Sequence, residues 1–280
     1  MPTVRTGPLI GLTAQIVLLG ALAATVGLTG PGWLVGVGYG LVTCVALSRG
    51  LGRAGAVRLG PADRVTLTRA VLAGGVTALV VDAAIGRPTP VGLLTTLTVV
   101  ALLLDAVDGR VARRTGTASA LGARFDMEAD AFLLLVLSVH VAPNAGGWVL
   151  AIGGMRYAFV VAGWALPWLR ATLPARQWRK VAAAAQGIVL AVALAGVLPH
   201  RWATLLVAGG LALLVESFAR DVFWLWRHRP LRPRPRPTGH VAGVVPVQLV
   251  AERVRVLPGG ATARPPALAV GAARADEWGR

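Results

Sequence analysis

Between Leu102 and Phe132 the chain reads LLLDAVDGRVARRTGTASALGARFDMEADAF. Asp105, Asp108, Asp126 and Asp130 fall here, together with Glu128, in a 280-residue chain that holds only 12 acidic residues. Asp105 and Asp108 stand at i, i+3, and Gly109, Ala112 and Arg113 follow them. On a helix turning 100° per residue, these five positions share an arc of about 140°. Gly122, Asp126 and Asp130 run at i, i+4, i+8 and form one stripe on the next helix. Two antiparallel helices would bring two carboxylates each to one cleft, with glycines beside them.

Such a cluster calls for a cation. A charge without a partner in or near hydrocarbon costs several kcal/mol, and four adjacent carboxylates would repel and take up protons unless neutralised. Hard, oxygen-seeking ions such as Mg²⁺ or Mn²⁺ suit these ligands, and Mg²⁺ commonly binds through few carboxylates plus substrate phosphates. Four carboxylates fit two ions about 3.5–4 Å apart, the arrangement that clamps attacking and leaving oxygens in phosphoryl transfer. Glycine at 109 and 122 would let a flat group approach the backbone. Simple helix capping could explain any one of these residues, but not the whole set at these spacings.

The elements that must carry this cluster are apolar. The chain is 55% hydrophobic and 14% charged, whereas soluble domains carry about 25% charged residues. Eight apolar runs are legible, at 8–28, 32–47, 65–85, 89–107, 125–141, 145–169, 181–198 and 202–226. Roughly 20 apolar residues suffice for a helix to cross a bilayer. The expected fold is therefore all-α and polytopic. The second run is short and the fifth opens on acidic residues. The organisation reads as an N-terminal transmembrane hairpin at 1–50, a basic connector at 51–64, a six-helix catalytic membrane domain at 65–226, and a tail at 227–280. Residues 1–30 also resemble a secretory signal, but a second apolar run follows at once and favours a retained hairpin. The tail opens with RHRPLRPRPRP, whose prolines forbid a regular helix, and is expected to be disordered.

The net charge is +16, nearly all of it arginine, with Lys180 the only lysine. The arginines lie between apolar runs and in the tail, where they set orientation and meet anionic lipid heads, so nucleic acid is not the expected partner. Segments 48–64, 110–124 and 169–180 are basic and alternate with nearly bare loops. Basic short loops stay inside, which predicts a multi-pass protein of the cell membrane with both termini and the acidic cluster facing the cytoplasm. Cys44 is the single cysteine, so no intrachain disulfide can form.

The segment from Asp105 to Asp130 fits D-x2-D-G-x2-A-R-x8-G-x3-D-x3-D at every fixed position. In this it resembles the CDP-alcohol phosphatidyltransferases, over about residues 60–226, with six helices as in that family. The first two helices and the tail lie outside the resemblance. It implies that Asp105, Asp108 and Asp126 ligate two divalent metals. Asp130 would also reach a metal and act as the base toward the acceptor hydroxyl. It implies further that Gly109, Ala112 and Gly122 cradle the cytidine nucleotide, that Arg113 holds its diphosphate, and that Ser119 contacts the donor. Upstream, ADRVTLTR resembles the family's P-N-x-x-T-x-x-R: Thr66 and Arg69 match, while Ala62 and Asp63 replace Pro and Asn. Asp63 and Thr66 become donor contacts on that basis. A homodimer is implied by resemblance alone.

The implied reaction moves a phosphatidyl group from CDP-diacylglycerol to a small polar alcohol and releases CMP. The motif equally accommodates the reverse use of donor, in which a soluble CDP-alcohol gives its phosphoalcohol to a lipid hydroxyl. Two readings of other classes stand beside these: a cation transporter using the carboxylates as an ion site, and an inactive membrane scaffold. The acceptor is less legible. Arg156, Lys180 and Arg69 are candidates, and several basic groups near the cleft favour a phosphorylated alcohol. Arg156 could instead make an internal ion pair. Glu216 and Arg220, at i, i+4, are expected to pair, and Gln186 either lines the cleft or bonds between helices. Glu128 falls about 200° from Asp126 and is expected to face away from the metals.

Overall fold

The computed structural model describes residues 6–53, 60–115, 119–171 and 177–228. The expected disordered tail falls almost entirely outside the described residues. Eight α-helices follow one another among the described residues: α1 (Thr6–Val26), α2 (Gly30–Arg53), α3 (Pro61–Ala84), α4 (Val91–Thr115), α5 (Ala120–Ala145), α6 (Leu150–Ala165), α7 (Gln177–Ala195) and α8 (His200–Arg227). The protein is all-α and polytopic. Five of the helices (α1, α2, α3, α8, and α6 with its preceding turn) are long and apolar enough to cross a bilayer. In α4 and α7 the apolar part shortens to Val91–Val107 and Val181–Ala195, because the remaining turns carry the motif and the basic segment.

Local chemistry sets the helix ends. Gly60 caps α3, Pro61 occupies its first turn, and the Asp63 carboxylate accepts the Gly60 N–H at 3.0 Å. Proline is pre-shaped for that position and lacks a donor that would go unused there. Ser119 caps α5, its hydroxyl accepting the Gly122 N–H at 2.8 Å. The run expected at 145–169 forms one span, trimmed at both ends: Gly146 (φ 111°) ends α5, a 3₁₀ turn at Gly147–Val149 leads directly into α6, and Pro167 opens a second 3₁₀ turn beyond it. A backbone at that φ suits glycine, and proline cannot extend the preceding helix. The second helix, expected to be short, instead runs to Arg53.

Helix α3 is the axis. In its apolar window 67% of the residues are buried, against 22% in α1, α2 and α8. It packs on α1, α2, α4 and α5. Small residues let the backbones approach, as in membrane bundles generally. A Cβ on Gly36 would strike Leu19, and one on Gly40 or Gly74 would strike Gln15, which is buried between α1, α2 and α3. At the far end of α3 from Pro61, the Asp82 carboxylate accepts the Thr29 N–H at 2.8 Å and the Thr29 hydroxyl as well. The loop of the N-terminal hairpin is thereby clasped to α3. Helices α5, α7 and α8 close the other side, where the buried Gln186 donates to the Gly210 carbonyl at 2.8 Å and so joins α7 to α8. Between the two alternatives for Gln186, the interhelical bond is the one formed.

Candidate active site

Three helix ends meet where the motif lies. From α3 come Asp63, Thr66 and Arg69, spaced i, i+3, i+6 and all buried. Asp105 comes from α4, and Asp126 and Asp130 from α5. One carboxylate oxygen of each of these three aspartates lies within 4.8 Å of the others. Arg69 sits among them: its Nη1 is 3.0 Å from Asp105 and also pairs with Asp126, while Nη2 pairs with Asp130. The guanidinium is 3% exposed, and the carboxylates are 40%, 35% and 39% exposed. The buried side of the cluster is thus sealed by a cation and the carboxylates open outward. Among these four described side chains, three negative charges against one positive leave a net −2, which suits a divalent ion approaching from the open side. An all-oxygen donor set fits Mg²⁺ or Mn²⁺ by chemical type.

Asp108, Ala112 and Arg113 are placed on α4 by their backbone, and Lys180 on α7; their side chains lie outside the described residues. Gly109 is on α4, half-buried, one turn beyond Asp105. Gly122 faces α3, and a Cβ there would collide with the Asp63 carboxylate. The close approach of α5 to α3 therefore gives this glycine a packing reason in addition to the room for a ligand expected from the sequence. Ser119 stands at the same corner as the cap of α5. Thr66 is buried and donates to the Ala62 carbonyl at 3.3 Å.

Arg156 of α6 pairs with Glu128 of α5 and donates to the Met127 sulfur at 2.8 Å. The internal ion pair foreseen as one of its two roles is present. Glu128 points away from the aspartate stripe, as the helical angle required. Arg220 and Glu216 pair at 2.5 Å, and Arg220 also lies over the Trp178 ring at 5.9 Å. The part of Arg69 that sequence spacing missed is its bridging of both motif helices. An arginine inside the apolar run of α3, two turns from Asp63, was the available signal.

The fold and site together are those of a helical membrane protein whose carboxylates from α4 and α5, gathered against α3 at one end of the bundle, could hold a metal ion. Residues 60–215 match the family model described as CDP-alcohol phosphatidyltransferase. The match spans more than half of the chain, and the chain belongs to that family. It is accordingly an enzyme of phosphatidyl or phosphoalcohol transfer from a CDP-alcohol. No curated protein and no solved structure matches the chain.

Proposed function

We propose that this protein transfers a phosphatidyl group from CDP-diacylglycerol to a small polar alcohol, releasing CMP. The observation that carries the proposal is the gathering of Asp105, Asp126 and Asp130 around Arg69 at the open end of the bundle. Asp105, Asp108, Asp126 and Asp130 would hold two Mg²⁺ or Mn²⁺ ions, whose chemistry is to offset the diphosphate charge and polarise the attacking and leaving oxygens.

The chain's own groups do the rest. Arg113 would take the donor diphosphate by charge-assisted hydrogen bonds. Gly109, Ala112 and Gly122 would leave room for the cytidine, with Asp63, Thr66 and Ser119 at its edge. Asp130 would accept the proton of the acceptor hydroxyl as the new P–O bond forms. Positioning and electrostatic stabilisation supply most of the acceleration in phosphoryl transfer. Arg69 is buried and engaged by three carboxylates, so its part is to orient them rather than to meet the acceptor. Lys180 and Arg156 remain the candidate acceptor groups, the latter only by leaving Glu128. Phosphorylated alcohols fit these cations better than serine does. The enzyme would work as a homodimer in the cell membrane with this site toward the cytoplasm, where soluble acceptors are found. The carboxylates crowd at one end of the bundle rather than midway along it, which disfavours an ion path.

The test offers purified protein, with Mn²⁺, either labelled CDP-diacylglycerol plus a panel of alcohols or labelled CDP-alcohols plus diacylglycerol. Label moving from CDP-diacylglycerol into a new phospholipid supports the proposal. Label moving only from a soluble CDP-alcohol assigns the opposite donor.

A further inference from the structure

On the other flank of α5 lies a groove of about 840 Å³ between α2, α5 and α6. Its walls are Val42, Ala46 and Gly50 of α2, and Leu121, Phe125 and Phe132 of α5. The Tyr39 and Phe132 rings stack at 4.5 Å toward its apolar end. At the motif end stand Arg53, the last residue of α2, and Arg124, in the first turns of α5. Both are exposed, and neither has a carboxylate partner among the described residues. Glu128, which also lines the groove, is already paired with Arg156.

This groove is separate from the aspartate centre. At 100° per residue, Phe125 and Glu128 project about 100° or more away from Asp126. It also depends on α2, which lies before the family match at residues 60–215. From Tyr39 to Arg53 the α2 wall rises about 21 Å at 1.5 Å per residue. One leaflet of bilayer hydrocarbon is about 15 Å deep, half of a 30 Å core. An acyl chain lying beside the apolar residues would therefore bring its phosphate to the level of the two arginines. The volume falls within the roughly 300–1,000 Å³ of ordinary ligand sites.

We infer that this groove is a binding site for one membrane phospholipid with an anionic phosphate head group, its acyl chain along α2 and α5 and its phosphate between Arg53 and Arg124. A second copy of the chain is the weaker occupant, since a two-fold contact here would set these arginines against their own twins.

Native mass spectrometry of the full-length protein in detergent tests this, with phosphatidylglycerol or phosphatidylcholine of identical acyl chains added and neither CDP-lipid nor metal present. These conditions make the outcome independent of the transferase proposal. The protein should retain about one phosphatidylglycerol per chain in preference to phosphatidylcholine. The double variant Arg53→Gln/Arg124→Gln should weaken that retention roughly thirtyfold, taking about 1 kcal/mol for each arginine at an anionic surface. Ala46→Trp, at an exposed groove position, should abolish retention of both lipids. Retention of phosphatidylglycerol undiminished in either variant would overturn the inference. So would an Ala46→Trp protein that changes from dimer to monomer with its lipid unaltered, which would make the groove a subunit interface.

Discussion

The Arg69 guanidinium on α3 pairs with the Asp130 carboxylate on α5, joining two residues 61 positions apart at the centre of the motif. The same guanidinium holds Asp105 and Asp126. A buried arginine therefore sets the spacing of carboxylates drawn from two other helices. Removing one partner of a buried ion pair costs about 3–5 kcal/mol. These carboxylates are more than a third exposed, so Arg69→Gln should cost less, about 2 kcal/mol. Millimolar Mn²⁺ should return part of that loss by neutralising the released carboxylates. Thermal unfolding in detergent with and without Mn²⁺ reads both effects. An unchanged melting temperature would contradict the bridging role.

Asp130→Asn preserves the shape of the side chain and removes its capacity to take a proton. Positioned acid–base groups contribute about 10²–10⁴-fold, and CMP release should fall by at least that much while the helical circular dichroism stays as in the parent. Wild-type turnover in this variant would refute the assignment of Asp130 as base.

Gly122 has no space for a Cβ because the Asp63 carboxylate occupies it. Overpacking of this kind costs about 1–3 kcal/mol, and Gly122→Ala should destabilise the protein by that amount. Asp63→Ala made in the same chain should recover part of the loss, so that the double-mutant cycle shows coupling of about 0.5–3 kcal/mol. Additive effects in thermal melts would mean that the two helices do not meet as described.

Asp82 clasps the α1–α2 loop through Thr29. Its replacement by Ala leaves the Thr29 N–H without its acceptor, at a cost of about 1–3 kcal/mol. The hairpin should loosen before the rest of the bundle. Faster limited proteolysis at residues 27–30, with a lower melting temperature, is the expected result; an unchanged digestion rate would show that the clasp carries no strength.

Much of this was legible in the residues, because each signal was local. Eight apolar runs became eight helices, since twenty apolar residues in lipid have few alternatives to a helix. The i, i+4 stripe of Gly122, Asp126 and Asp130 lies on α5, and Glu128 faces elsewhere, as one helical period requires. Interhelical partners were harder to read. Nothing in the spacing of α3 shows that Arg69 reaches two other helices, that Asp82 meets Thr29, or that Gly122 faces Asp63. Those contacts depend on how α3 is rotated against its neighbours, which glycines on several helices decide together. Gly146 and Pro167 flank the span read at 145–169, but the apolar residues around them hid where its helix starts and stops.

Divalent ions acting at the aspartates would split the cytidine diphosphate of the donor. CMP release from CDP-diacylglycerol, followed while Mn²⁺ is titrated into metal-stripped protein with an acceptor present, tests it most directly. Release should be absent without metal, rise to saturation as Mn²⁺ is added, and vanish in Asp126→Asn at the same concentrations. Metal-independent CMP release, or full release in Asp126→Asn, would contradict it.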